Sequence, residues 1–261
     1  MSIEFDSLKL TDKVLLASLV KCFPSNKTKL TFSDLLEYDL SPAPYVTVHI
    51  LAQLASANLI GWTGKKFSNK SLLQDEDAYK IFEITLNVES TEDLLQGLLL
   101  QINSTDKHSK QDNRDIVTLI KNVLVAECVQ FISEQLSLTF FDIDLLMNPP
   151  AVLVEILEHY PLAETHTLLW MAAAKISPKK INEEHAADLL SEICHSAQRS
   201  ALLYAANKSI INPYQKIEGP ECSLLTVLLM ENYLKLGSGR YFTSHVWPIL
   251  SKNARLCSKI S

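Results

Sequence analysis

The chain has 261 residues, 47% of them hydrophobic and 21% charged, with a formal net charge of −6. That composition excludes a disordered chain, and the acid excess argues against a general nucleic-acid binder, which carries surplus cations. With only six glycines, a turn-rich β fold is disfavoured and helices are expected to dominate. The charge is uneven. Residues 1–88 hold nine Lys against ten Asp and Glu, while residues 89–261 carry the rest of the deficit, although no acid follows Glu231. The five cysteines (Cys22, Cys128, Cys194, Cys222 and Cys257) are too far apart for a zinc motif, and an odd number is a poor disulfide framework. Reduced, mostly buried thiols and a cytoplasmic location are expected. The opening MSIEFDSLKL lacks the shape of a signal peptide, and no apolar run approaches the roughly 20 residues that span a bilayer. No membrane partner is expected.

In chain order, Thr11 is a plausible cap for a first helix carrying Val14, Leu15, Leu19, Val20 and Phe23 at helical spacing, ended by Pro24. Leu30-Thr31-Phe32 reads as a short strand or lead-in, with Thr31 or Ser33 capping a helix whose buried side is Phe32, Leu35 and Leu36. Ser41-Pro42-Ala43-Pro44 breaks the pattern. A longer helix then runs from about Pro44 to Asn58, with Val48, Leu51, Leu54 and Ala55 on one inward face. Leu59 to Trp62 reads as a strand and Thr63 to Lys66 as a turn. After a polar stretch, Tyr79, Ile81 or Phe82, Ile84 and Leu86 suggest a returning strand of period two.

Three helices followed by a hairpin, with a tight proline-bearing turn between the second and third helices, resemble the winged-helix superfamily, found in many bacterial regulators. The resemblance covers about the first third of the chain and rests on element order. It implies that the third helix docks in a DNA major groove and that the wing touches phosphate or the minor groove. Tyr45, Thr47, His49, Gln53 and Ser56 would then lie on or near the reading helix, and Lys65, Lys66 and Lys70 on the wing. The sequence departs from this pattern in one respect: Pro44 to Leu59 holds no Lys or Arg, the residues that make the commonest base contacts. Winged helices also serve as protein-docking modules, so an adaptor role is the alternative.

Beyond residue 88 the pattern is helical. Leu94, Leu95, Leu98 and Leu99 are periodic; the polar residues 102–115 read as a linker or surface loop; a long helix runs from Asp115 to about Leu138. Residues 136–146 read as a connector before Pro149-Pro150. Further helices are expected over Ala151 to His159, from Pro161 through Thr165 to Lys175, over Ile181 to Asn207 and over Ser223 to Leu236, the last stopped by Gly237 and Gly239, before a partly basic tail with Lys252, Arg255 and Lys259. The expected fold is mainly α: a winged-helix domain with a small β-hairpin over residues 1–88, followed by a C-terminal α-helical domain over 89–261.

No catalytic signature stands out. The phosphate-cradling glycine motifs and the G-x-S-x-G elbow are absent. Glu155 and His159 share a helix face, with Glu158, Glu164, His166, His185 and the Glu192/His195 pair as further possible ligands, but the phase does not give a second matching Glu-x-x-His, so no metal and no cofactor is expected. Cys194 falls in a stripe with Leu190 and Ala197, which reads as core rather than nucleophile. Trp62 and Trp170 read as packing residues and Trp247 as an anchor for the tail. The expectation is a non-enzymatic DNA-binding protein, possibly a bacterial regulator, with a protein-docking adaptor as the competing reading.

Overall fold

The structure, a computed structural model, describes residues 7–24, 27–63, 83–86, 90–104, 109–137, 151–176, 186–214, 223–236, 240–247 and 249–250. The protein is mainly helical with one small antiparallel sheet. The described elements are α1 (Leu10–Lys21), β1 (Lys29–Thr31), α2 (Phe32–Glu37), α3 (Pro44–Ser56), β2 (Gly61–Thr63), β3 (Glu83–Thr85), α4 (Thr91–Asn103) and α5 (Lys110–Leu136). They continue with α6 (Ala151–His159), α7 (Leu162–Ala173), α8 (Ala186–Ala206), α9 (Leu224–Val227, running on as a π-helix over Leu228–Tyr233) and α10 (Arg240–Thr243).

The chain divides into two compact units, and the division does not follow the expected break at residue 88. One unit is Met1–Ile120 with Glu221–Leu236; the other is Lys121–Pro220 with Gly237–Ser261. The boundary falls inside α5, and the first unit is completed by a helix more than a hundred residues further along the chain.

In the first unit α1 is the central element. Every residue from Leu10 to Val20 is buried, polar ones included. A helix buried on all faces has to be covered on every side. Here α4, α3, α9 and the π-helix all pack against it. Its N-cap is Lys9, not Thr11, which lies inside the helix. Strand β3 is the middle of the sheet, antiparallel to β1 and β2, with Ile84 opposite both Leu30 and Trp62. Thr31 caps α2 as expected: its hydroxyl accepts from the Asp34 N–H at 3.2 Å, and the Asp34 carboxylate accepts from the Thr31 N–H at 2.6 Å. Both α2 and α3 end with a residue in the left-handed region, Asp39 at φ 48° and Asn58 at φ 57°, residue types that tolerate it without glycine.

Part of the expected loop at 102–115 is helix. Ser109 and Asp112 form a second capping box, with the Asp112 N–H donating to the Ser109 hydroxyl at 3.0 Å and both the N–H and O–H of Ser109 donating to Asp112 Oδ2. This starts α5 at Lys110, five residues earlier than expected. Helix α5 is also long and apolar enough to cross a membrane by length and composition, contrary to the expectation that no segment approached that length. However, 61% of its most apolar window is buried within the protein, as in a core helix.

In the second unit α7 packs against α6, α8 and α10. The chain leaves α8 with Lys208 at φ 51° and runs back along α7. The Thr167 hydroxyl donates to Asn212 O at 2.8 Å and the Tyr214 N–H donates to Ala163 O at 3.0 Å. His166, 2% exposed, is enclosed by aromatic rings. It stacks on Phe131 at 4.2 Å between centroids, with Phe242 edge-on at 5.2 Å. Trp247 is buried at 5% exposure, whereas Trp170 is 46% exposed and is not the packing residue expected. The connector at 138–146, the stops at Gly237 and Gly239 and the tail lysines and arginine beyond residue 250 lie outside the described residues.

Candidate nucleic-acid interface

The turn between α2 and α3 is built by serine and proline. The Ser41 hydroxyl is 2.9 Å from Ala43 O and 2.8 Å from the Thr47 hydroxyl, and Pro44 occupies the first turn of α3, where its missing N–H costs nothing. The turn is held again from outside: the Leu224 and Leu225 N–H groups at the start of α9 donate to Asp39 O and Leu40 O at 2.9 and 3.1 Å. These bonds satisfy two free donors of a helix start with carbonyls of the turn.

This turn sets how α3 is rotated, and the rotation corrects two expected contacts. Tyr45 and Thr47, each 1% exposed, are buried, so neither presents a side chain to a ligand. The first half of α3 is covered on more than one side: Tyr45, Val46, Thr47 and Val48 are consecutive buried residues, followed by Ile50, Leu51 and Leu54. A single 3.6-period stripe of Val48, Leu51, Leu54 and Ala55 predicted one inward face and left Tyr45 and Thr47 outside. The signal for Thr47 was Ser41, a hydroxyl in the turn positioned to pair with it.

The less buried stripe of α3 is His49, Ala52, Gln53 and Ser56, spaced i, i+3, i+4 and i+7. Its hydrogen-bonding capacity is largely used. Gln53 Nε2 donates to Asp12 Oδ1 at 2.7 Å and the Ser56 hydroxyl donates to Ala52 O at 2.8 Å. Burial pushes the His49 imidazole below its usual range, which leaves it uncharged at neutral pH. The stripe therefore carries no cation. The same holds for the sequence around it: from Phe32 to Trp62 the charged residues are Asp34, Glu37 and Asp39, with no Lys or Arg. A phosphate backbone would meet a net negative segment here.

Lys65, Lys66 and Lys70, the lysines expected on a wing, lie outside the described residues. Of the other four residues assigned to DNA, two are buried, Gln53 is engaged with Asp12, and His49 remains.

The polar residues considered for metal chemistry are dispersed. Glu155 accepts from Gln198, Glu158 accepts from the Trp247 indole at 3.1 Å, and the His195 Nδ1 lies 2.8 Å from Ser191 O. His166 is inside the aromatic cluster, and His185 lies outside the described residues. Among the described residues no three His, Cys, Asp or Glu converge as ligands. Cys194 is buried beside Leu190 and Ala197, and burial pushes its thiol up to about 12, which removes the thiolate a nucleophile requires. Glu164 is raised by burial, an effect His245 partly offsets.

Comparison with known proteins finds no matching family model, no matching curated protein and no matching solved structure.

Proposed function

We propose that this is a non-enzymatic adaptor whose N-terminal unit is a winged-helix module that docks on a protein partner. The element order α1-β1-α2-α3-β2-β3 supports the winged-helix reading. The observation that carries the docking reading is the accessible stripe of α3: small and neutral, with no cation from Phe32 to Trp62 and with its one amide already bonded to Asp12. Base reading draws most on Arg and Lys, and this helix has neither. Interface cores, in contrast, are depleted in charge.

DNA binding is the second reading, favoured by the clustering of Lys65, Lys66 and Lys70 between β2 and β3. In that case the lysines supply affinity through phosphate, and the α3 stripe supplies little selectivity.

One set of measurements separates the two. The purified chain is titrated against labelled duplex over a range of salt, together with a variant in which Lys65, Lys66 and Lys70 become Gln. In parallel, the wild type and Ala52→Arg are affinity-purified from their native cells. Docking predicts negligible duplex binding at 150 mM salt and a stoichiometric protein partner lost in Ala52→Arg at unchanged melting temperature. Duplex binding whose salt slope falls by about 2.7 on removal of the three lysines overturns docking in favour of DNA.

A further inference from the structure

Among the described residues of the second unit, the large apolar side chains left exposed are Trp170, Leu202, Leu203 and Ile210. Three of them sit on the tip of α8. From Leu202 to Ile210 every residue is exposed except Tyr204, which is half-buried. Leu202 and Leu203 are 64% and 63% exposed, and Ile210 is 85% exposed. The tip is nonetheless a closed helix end. With Lys208 at φ 51°, the Asn207 N–H donates to Leu203 O and the Ser209 N–H to Tyr204 O, each at 3.0 Å. Beyond it Ile211 turns inward, and Asn212 O accepts from the Thr167 hydroxyl. Trp170 stands one turn along α7 from Thr167, and Ile210 two residues before Asn212, so these two exposed side chains border the same junction.

The charge around this apolar group has one sign. Arg199, a turn before the two leucines, shares their side of α8, Lys208 is in the tip, and Lys175 follows the end of α7; all three are exposed. No acid occurs from Thr165 to Asn182 or from Ile193 to Ile217. Glu155, which α6 brings to α8, accepts from Gln198, one turn before Leu202. In a chain of net charge −6 this is a local reversal.

Exposed apolar groups rimmed by charge mark contact with a protein or a membrane. A protein partner would need a hollow for each protruding side chain, whereas the headgroup–acyl boundary of a bilayer is fluid and takes any shape. Leucine and isoleucine enter that boundary, an indole sits at the headgroup level, and rim cations meet anionic lipid. We propose that the α8 tip, with Trp170 beside it, is a docking site for an anionic bilayer surface, on which the protein lies without spanning it. The attraction has two parts, apolar insertion and charge, and each can be removed alone.

The test uses the full chain with vesicles of phosphatidylcholine alone and of phosphatidylcholine mixed equally with phosphatidylserine, separated by flotation at low and at high salt. Binding to the mixed vesicles, weakened by salt, is expected, with little binding to the neutral ones. Tryptophan emission should shift to the blue on the mixed vesicles, and Trp170→Phe should abolish the shift. Leu202→Gln with Leu203→Gln removes insertion and keeps every cation; it should lose most of the binding at unchanged circular dichroism. Lys175→Gln, Arg199→Gln and Lys208→Gln together keep the apolar tip and should weaken binding about a hundredfold, about fivefold for each charge. Those three side chains are exposed, so this variant carries the test should the leucine variant lose its fold. A chain that floats with neither vesicle overturns the proposal and leaves a protein as the partner of the tip. Binding unchanged in either folded variant overturns it as well, and so does an emission shift that persists in Trp170→Phe.

Discussion

Asp112 offers the sharpest test of how the first unit is held together, because one carboxylate serves two helix starts. Its Oδ2 accepts from the N–H and O–H of Ser109, at 3.2 and 2.6 Å, and so caps α5. Its Oδ1 accepts from the Leu10 N–H at 3.1 Å, a free donor in the first turn of α1, across 102 residues of sequence. Both helix dipoles present their positive ends to the same negative charge. Loss of a capping box costs about 1 kcal/mol. The bond from Leu10 to a charged acceptor adds about 1.5 kcal/mol, the low end of its range because the site is only part-buried. Asp112→Ala should therefore lower stability by about 2.5 kcal/mol, and Ser109→Ala, which breaks only the local box, by about 1 kcal/mol. Urea unfolding followed by circular dichroism measures both, read as midpoint shifts at unchanged slope. Equal losses in the two variants would refute the reasoning, since the long-range bond to α1 would then contribute nothing.

Three further outcomes follow from the same kind of accounting. The Asp34 carboxyl is held below the usual range, first by the Thr31 N–H, so its stabilising effect is present above the unfolded value of about 3.9 and is lost as pH falls through the lower folded value; Asp34→Asn should flatten the acid limb of a stability–pH curve below pH 4, and an unchanged limb counts against the box. The His49 imidazole is lowered by burial, so stability is complete above the unfolded value of about 6.5 and declines as pH falls below it; His49→Gln should remove part of the loss between pH 6.5 and 5 in thermal melts. With Cys222 and Cys257 replaced by Ser, the remaining thiols, all buried and raised by that burial, should resist a thiol-reactive disulfide at pH 8 until urea unfolds the chain, and reaction in the native state would contradict the packing of Cys22, Cys128 and Cys194.

What the sequence made legible was local. The cap at Thr31, the proline start of α3, the short strands around Leu30 and Gly61, and the helical character after residue 90 each follow from neighbours within four or five positions. What it hid was non-local. The apolar spacing of Val14, Leu15, Leu19, Val20 and Phe23 marks only part of the buried surface of α1, since Asp12, Lys13 and Ser18 are buried as well. Asp12 accepts from Gln53 and the Ser18 hydroxyl donates to Leu15 O, so each has a partner inside. The helices that cover α1 include one that begins at Leu224, and no window of the sequence near residue 20 announces it. The π-helix at Leu228–Tyr233 was equally silent: LLMENY is an ordinary helical pattern, and its packing against α1 and α4 and the bond from the Tyr233 hydroxyl to Asn113 Oδ1 at 2.8 Å are long-range.

The candidate interface follows the same division, and this is what weighs against reading α3 as a free recognition helix. A helix that enters a groove needs one whole face uncommitted. Here the turn before α3 is pinned by the α9 backbone, Thr47 is paired to the turn, Gln53 is paired to α1, and the buried run Tyr45 to Val48 leaves only the stripe through His49, Ala52 and Ser56. Each commitment stabilises the first unit and removes a group that could have met a base edge. An α3 tied down in this way is suited to present a fixed, neutral, small-residue surface, whose complementarity depends on shape rather than on charge. A single bulky cation at Ala52 is thus the perturbation to which docking should be most sensitive and core stability least. Loss of the partner together with loss of the fold in Ala52→Arg would mean that this stripe is interior to the unit and no interface at all.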